Sequence, residues 1–156
     1  MVRNTYLKMF FVLLTFISIT TFAQSTKDDN EAVKKPINDL FAGMKKGDTT
    51  LVRSAFAPNS FLQTIAKRKD GIVVETEPLD SFLAIIGKPH KEAYDERIEF
   101  NTVRVDGELA MVWTPYQFYV DDKFSHCGVN SFQLVKLSGE WKIQYIIDTR
   151  RRTNCN

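Results

Sequence analysis

Three tight-turn sequences limit the folds open to this chain more than anything else in it. Asp106-Gly107, Asp121-Asp122 and Ser138-Gly139 separate runs rich in β-branched and aromatic residues: Glu96–Val105, Leu109–Val120, Phe124–Leu137 and Trp141–Asp148. Two-residue turns of this kind accept the backbone twist that joins antiparallel neighbours. The spacing therefore predicts a meander of long strands. Ahead of it the pattern is helical. Val33, Ile37, Leu40, Phe41 and Met44 recur at spacings of three and four, laying one apolar stripe along a helix from Glu31. Pro36 belongs in its first turns, where a missing N–H costs little, or kinks it. Gly47 ends this helix, and Asp48 is placed to cap a second, Thr49–Phe56. Ala57-Pro58-Asn59 is a break. Phe61–Ala66 and Ile72–Thr76 read as strands around Lys69-Asp70-Gly71, and Pro78–Ile86 as a short helix stopped by Gly87 and Pro89. Helices first and a meander afterwards mean an α+β domain, the helices packed on one face of a curved antiparallel sheet.

The N-terminus carries a different signal. Arg3 and Lys8 precede the apolar run Met9–Ile19, and Thr21-Phe22-Ala23 offers small residues for cleavage. A run of about a dozen residues is too short for a bilayer, which takes roughly 20. Residues 1–23 are therefore expected to be a cleaved secretory signal peptide, followed by a polar lead-in at 24–30, a domain at 31–152 and a tail at 153–156. Removing the signal leaves 133 of the 156 residues and takes away two basic residues and no acidic one, so 21 basic against 19 acidic side chains become 19 of each. A neutral, secreted or periplasmic domain offers no electrostatic argument for nucleic acid or for a membrane after signal cleavage. Arg150-Arg151-Arg152 is short enough to be simply solvated. His90 and His126 lack the spacing of a zinc site, and neither a metal nor a cofactor is expected.

The stretch DLFAGMKKGDTTLVRSAFAPNSFLQ, with its FAGMKKGD motif and following F-x-P, and the final GEWKIQYIIDTRR, with G-x-W-K-I on the last strand, resemble the nuclear transport factor 2-like superfamily. Within it they are most similar to the secreted SnoaL-like and "putative lumazine-binding" branch. The resemblance covers Glu31–Arg152. It implies a cone, a curved sheet wrapped around helices with a pocket at the open end. Because superfamily members include isomerases, dehydratases, hydrolases and plain binding proteins, it does not by itself settle an activity.

Counting outward from each turn pairs Val105 with Glu108, Val120 with Lys123 and Leu137 with Glu140. That count places Phe100, Met111, Trp113, Gln117, His126, Asn130, Phe132, Leu134, Ile143, Tyr145 and Ile147 on the concave face. The other face receives Val112, Thr114, Tyr116, Phe118, Cys127, Val129, Ser131, Gln133, Asp148 and Arg150. A one-residue slip exchanges the two sets. The count makes Trp113, Gln117, His126, Asn130 and Tyr145 the ligand-binding candidates, apolar walls with a few polar groups. The plainer alternative is a set of buried polar side chains satisfying one another.

Three functions follow from these residues and the resemblance. The first is a secreted domain that binds a small molecule inside the cone, with a heteroaromatic ligand implied by the family name. The second is a cofactor-independent isomerase, dehydratase or hydrolase with His126 as base. Asp148 is the lesser candidate base, because it shares the outer face with Arg150 and would pair with an arginine there. The third is a homodimer formed through an outer patch of Val112, Phe118 and Val129.

His126 and Cys127 are consecutive on a strand and point to opposite faces, which excludes a dyad between them unless a bulge falls at Ser125 to Gly128. In an oxidising compartment two cysteines read first as one disulfide. The count sets Cys127 opposite Arg150, beside the end of the final strand. The tail Arg151–Asn154 is then long enough to bring Cys155 back to it, within the roughly 7 Å that a disulfide allows between Cα atoms.

Overall fold

The turns Asp121-Asp122 and Ser138-Gly139 close their hairpins as counted. The first lies one residue later, at Gly107-Glu108, so that Asp106 pairs with Leu109 and Val105 does not face Glu108. The computed structural model describes residues 22–89 and 92–155, with side chains from Asp28 onward. The expected signal segment lies outside the described residues except for its last two, as does His90. Ten elements follow: α1 (Phe22–Lys46), α2 (Thr49–Ala55), β1 (Phe56–Arg68), β2 (Gly71–Pro78), α3 (Leu79–Ile86), β3 (Tyr94–Ile98), β4 (Thr102–Asp106), β5 (Leu109–Val120), β6 (Lys123–Leu137) and β7 (Glu140–Arg151). Asp121 and Asp122 both have positive φ, as do Ser138 and Gly139, the left-handed pair that a two-residue hairpin needs.

The α1 stripe is buried as its spacing predicts: Val33, Ile37, Leu40 and Met44 lie in the core with Phe132, Leu134 and Ile143 of the sheet. Burial of each such side chain stabilises by about 1.5–3 kcal/mol. The helix starts earlier than the stripe, so Pro36 falls in its interior. Asp48 caps α2, its Oδ1 accepting from the Leu51 N–H at 2.9 Å. Asp29 fastens α1 to the sheet by accepting from Lys136 Nζ at 2.7 Å.

The sheet order is β2-β1-β7-β6-β5-β3, with β4 also on β5. β1 runs parallel to β7, so the sheet is mixed rather than wholly antiparallel. Tight turns fix the direction of the strands they join, and no turn joins these two. The expected strand Glu96–Val105 is split into β3 and β4. Pro115 of β5 has no N–H to offer, and Glu99-Phe100-Asn101 bulges opposite Thr114-Pro115, between the pairs Ile98–Tyr116 and Thr102–Trp113.

Two further bulges correct the face assignment. Tyr119 pairs with Phe124, but Phe118 pairs with His126, leaving Ser125 extra. Leu134 pairs with Ile143, but Gln133 pairs with Tyr145, leaving Gln144 extra. Each inserted residue moves what lies beyond it to the opposite face. Val112, Thr114 and Tyr116 are therefore buried under the helices, and Phe118 packs against the same core. Trp113 is instead an exposed outer residue. Val112 and Phe118 thus cannot form the outer patch expected of a dimer face. The outward-facing apolar side chains include Phe61, Leu109, Trp113 and Phe124.

Cys127 and Cys155 form the expected disulfide, with Cα atoms 5.8 Å apart. The strand partner of Cys127 is Arg151 rather than Arg150, shifted by the Gln144 bulge.

Candidate functional site

Alternation along the corrected strands turns one set of side chains toward the space between the sheet and α1. β5 presents Tyr116 and Phe118, β6 presents His126 and Asn130, β7 presents Ile146, Asp148 and Arg150, and β3 presents Glu96. Leu40, Phe41 and Met44 of α1 and Phe82, Ile85 and Ile86 of α3 form the apolar wall of a cavity of about 340 Å³. Ile85 is 47% exposed and marks where the cavity meets solvent.

Of the five residues expected to line a pocket, His126 and Asn130 do so. Trp113, Gln117 and Tyr145 do not, because the bulges at Ser125 and Gln144 turn them to the outer face. There Gln117 accepts from the Tyr119 hydroxyl at 2.7 Å. Tyr145 donates to Gln63 at 2.6 Å and packs on Phe61. Asp148, expected outside, is buried inside.

The polar end of the cavity is a connected network. Asp148 Oδ1 accepts from Thr64 Oγ1 at 2.6 Å, and its Oδ2 accepts from Arg150 Nε at 2.8 Å and the Tyr116 hydroxyl at 3.3 Å. Tyr116 also donates to the Thr149 carbonyl at 2.9 Å, and Arg150 Nη2 donates to Thr64 Oγ1 at 3.0 Å. The pairing of Asp148 with an arginine is present, but it forms part of the cavity wall. With both oxygens engaged, Asp148 is poorly placed to accept a proton from a substrate.

His126 stacks on Phe118 with centroids 4.9 Å apart and meets Tyr116 edge-on at 5.7 Å. Its Nδ1 lies 3.2 Å from Ser125 Oγ. Among the described residues no hydrogen bond joins it to a carboxylate. Burial and then the nearby Arg150 charge hold its pKa below the ordinary histidine value, against the opposite pull of Asp148. The neutral imidazole is thus favoured, the form that can accept a proton.

Glu96 is the residue that the turn count missed. Asn130 Nδ2 donates to its Oε1 at 2.7 Å. Glu96 keeps some accessible surface because it lines the cavity, yet desolvation, reinforced by the Asp148 charge, raises its pKa to about 7 against the Asn130 hydrogen bond. A signal for its position was in the sequence: Glu96 stands two residues before Ile98, which packs against the core.

Glu96 also makes a stability prediction. A carboxyl whose folded pKa lies above its unfolded value of 4.5 stabilises the fold fully below that value and ceases to do so as the pH rises through about 7. Above that, the fold carries a desolvated carboxylate at a cost on the order of 3 kcal/mol. Glu96→Gln keeps the shape and the acceptor for Asn130 without the charge. It is expected to raise Tm at pH 8.5 and to leave it nearly unchanged at pH 5. Equal shifts at both pH values in thermal unfolding would remove Glu96 as the titrating group.

Comparison with known proteins agrees with this architecture. No curated protein sequence matches the chain. Among solved structures, an NTF2-like protein of unknown function from Shewanella baltica superposes with a TM-score of 0.62 at 16% identity, covering 86% of this chain and all of that one. A protein of unknown function from Mycobacterium tuberculosis gives 0.69 at 10% identity, covering 88% of this chain and 80% of that one. An NTF2-like protein from Streptomyces avermitilis described as a "putative dehydratase" gives 0.60 at 13% identity, covering 81% and 98%. At these identities the likeness is one of fold. The family model described as "Putative lumazine-binding" matches residues 28–145. This chain therefore belongs to the "Putative lumazine-binding" family, and its fold is that of the NTF2-like proteins.

Proposed function

We propose that the mature chain is a secreted small-molecule-binding protein, released by removal of residues 1–23, whose ligand lies in the cone. The observation that carries this reading is the two-sided cavity, apolar on the α1 and α3 side and polar at the ends of β3, β6 and β7. Its volume of about 340 Å³ falls within the range of small-ligand sites, and such sites pair apolar walls with a few fixed polar groups. The family description suggests a heteroaromatic ligand, and the rings of Phe41, Tyr116 and Phe118 on the wall suit a flat one.

Native mass spectrometry of the purified protein is expected to show a retained small molecule. Ile85→Trp narrows the cavity where it meets solvent, at a position exposed enough to accept the larger ring. That variant is expected to retain the molecule at least about tenfold less while unfolding at nearly the same temperature, since exposed substitutions rarely cost more than about 0.5 kcal/mol. Undiminished retention would place the ligand elsewhere.

A second reading has its own observation. Glu96 and His126 line one cavity, where burial raises the Glu96 carboxyl to about 7 and lowers the His126 imidazole from the ordinary histidine value. Groups of that kind can serve as general base and acid in a cofactor-independent isomerase or dehydratase. Exchange of the α-proton of a bound carbonyl compound into D2O, abolished by His126→Ala or Glu96→Gln, separates the enzyme from the binding protein.

A further inference from the structure

Two acids at the polar end of the cavity differ in what they have left to offer. Asp148 is closed on itself, its oxygens held by Thr64, Tyr116 and Arg150. That pairing also balances Arg150, the cation of the cavity wall. Glu96 is open. Asn130 holds its Oε1, and among the described residues nothing bonds to the second oxygen. Among the described residues the buried side-chain polar atoms without a partner are Ser60 Oγ and Thr114 Oγ1, so this second oxygen keeps accessible surface, on a side chain that lines the cavity. Glu77 adds another carboxylate to the wall.

We propose that the cavity selects a flat ligand with a cationic, amidine-type edge, two adjacent N–H donors directed at Glu96, and that it rejects carboxylates. The proposal rests on the ligand-binding reading above. A carboxylate and an amidinium match as two parallel N–H···O bonds, and charge assistance makes each stronger than a neutral one. Here one goes to the open oxygen and one to the second lone pair of the Oε1 that also accepts from Asn130. The ring behind that edge would pack among Phe41, Tyr116 and Phe118, the aromatic side chains of the cavity wall. An anion would meet two carboxylates and find its only counter-charge already paired.

The groups facing Glu96 fix the direction of the pH response. They are Tyr94 of β3, Tyr116, His126, Asp148, Arg150 and, from β2, Glu77; α1 and α3 contribute apolar side chains only. Burial drives the Tyr116 pKa upward, so its hydroxyl stays neutral. Glu96 gains its charge as the pH rises through about 7. His126 gains charge only on acidification, which also opposes a cation. Both act in one direction: a cationic ligand binds more tightly at higher pH.

Three probes of one shape test this: benzamidine, benzamide and benzoate, titrated into the purified protein at pH 5.5 and 8.5 and followed through the methyl resonances of Leu40 and Ile146. Benzamidine is expected to bind about thirtyfold more tightly at the higher pH, the change in the ionised fraction of a group titrating at about 7. Benzamide is expected to bind weakly at both, and benzoate not at all. Glu96→Gln should remove the pH dependence and weaken benzamidine at least about tenfold at pH 8.5. If that variant does not fold, the pH profile of the unaltered protein decides alone. Benzoate binding as well as benzamidine, or benzamidine binding without pH dependence, overturns the amidine selectivity and leaves the ligand-binding reading standing. Cavity methyl groups that no probe moves would overturn both.

Discussion

Gly128→Ala is expected to destabilise the protein by about 3–5 kcal/mol, more than most single substitutions in a domain of this size. Gly128 lies on β6 between Tyr116 of β5 and Arg150 of β7. A Cβ there would stand 1.7 Å from the Thr149 carbonyl oxygen and 2.7 Å from Tyr116 Cε1. The first is backbone, and no side-chain rotation relieves it. The strands must separate or the Tyr116 ring must leave, which removes its hydrogen bonds to Thr149 and Asp148 at the polar end of the cavity. Urea unfolding is expected to show a large fall in midpoint, with loss of ligand retention in whatever fraction still folds. A variant with the parental midpoint would mean that the strands sit further apart at this row than described.

Replacing both Cys127 and Cys155 with serine is expected to cost about 3.5 kcal/mol, the chain-entropy value for a loop spanning 28 residues. The change should act on stability and spare the cavity. Cys127 points away from the His126 side of β6, and the tail it holds carries its own contact, Arg151 Nε donating to Asn154 O at 3.1 Å. The serine variant is therefore expected to unfold at lower denaturant yet keep its affinity for any cavity ligand within about twofold. Thiol titration of the unreduced protein gives the companion measurement: two reactive thiols would rule out the bond.

Features carried by residue type and short spacing were legible in the sequence. The α1 stripe, the Asp48 cap, the hairpin turns and the cystine each depend on a few residues close in the chain or on one distinctive pair. The cavity was harder to see, because its lining depends on strand phase summed over long hairpins. Ser125 and Gln144 look like ordinary strand residues, and nothing in their chemistry marks them as insertions. Each shifted the count by one and sent Trp113, Gln117 and Tyr145 outward while bringing Tyr116, Phe118 and Asp148 in. Glu96 was missed for a related reason: the count began at the turns, and its strand is interrupted at Glu99-Phe100-Asn101, opposite Pro115, before reaching it.

The bulge at Gln144 also divides β7 into two stretches that evolution can alter separately. Up to it, the buried positions are odd-numbered, Trp141 and Ile143; beyond it they are even-numbered, Ile146 and Asp148. The first stretch answers to the hydrophobic core and the second to whatever occupies the cone. Tolerance to substitution along this one strand therefore reverses its parity at Gln144. A relative that kept a residue at 144 but paired it regularly with β6 would keep its core intact and turn the side chains now facing outward at 145 and 147 into the cone, whereas one that lost the residue would keep both sets as they are.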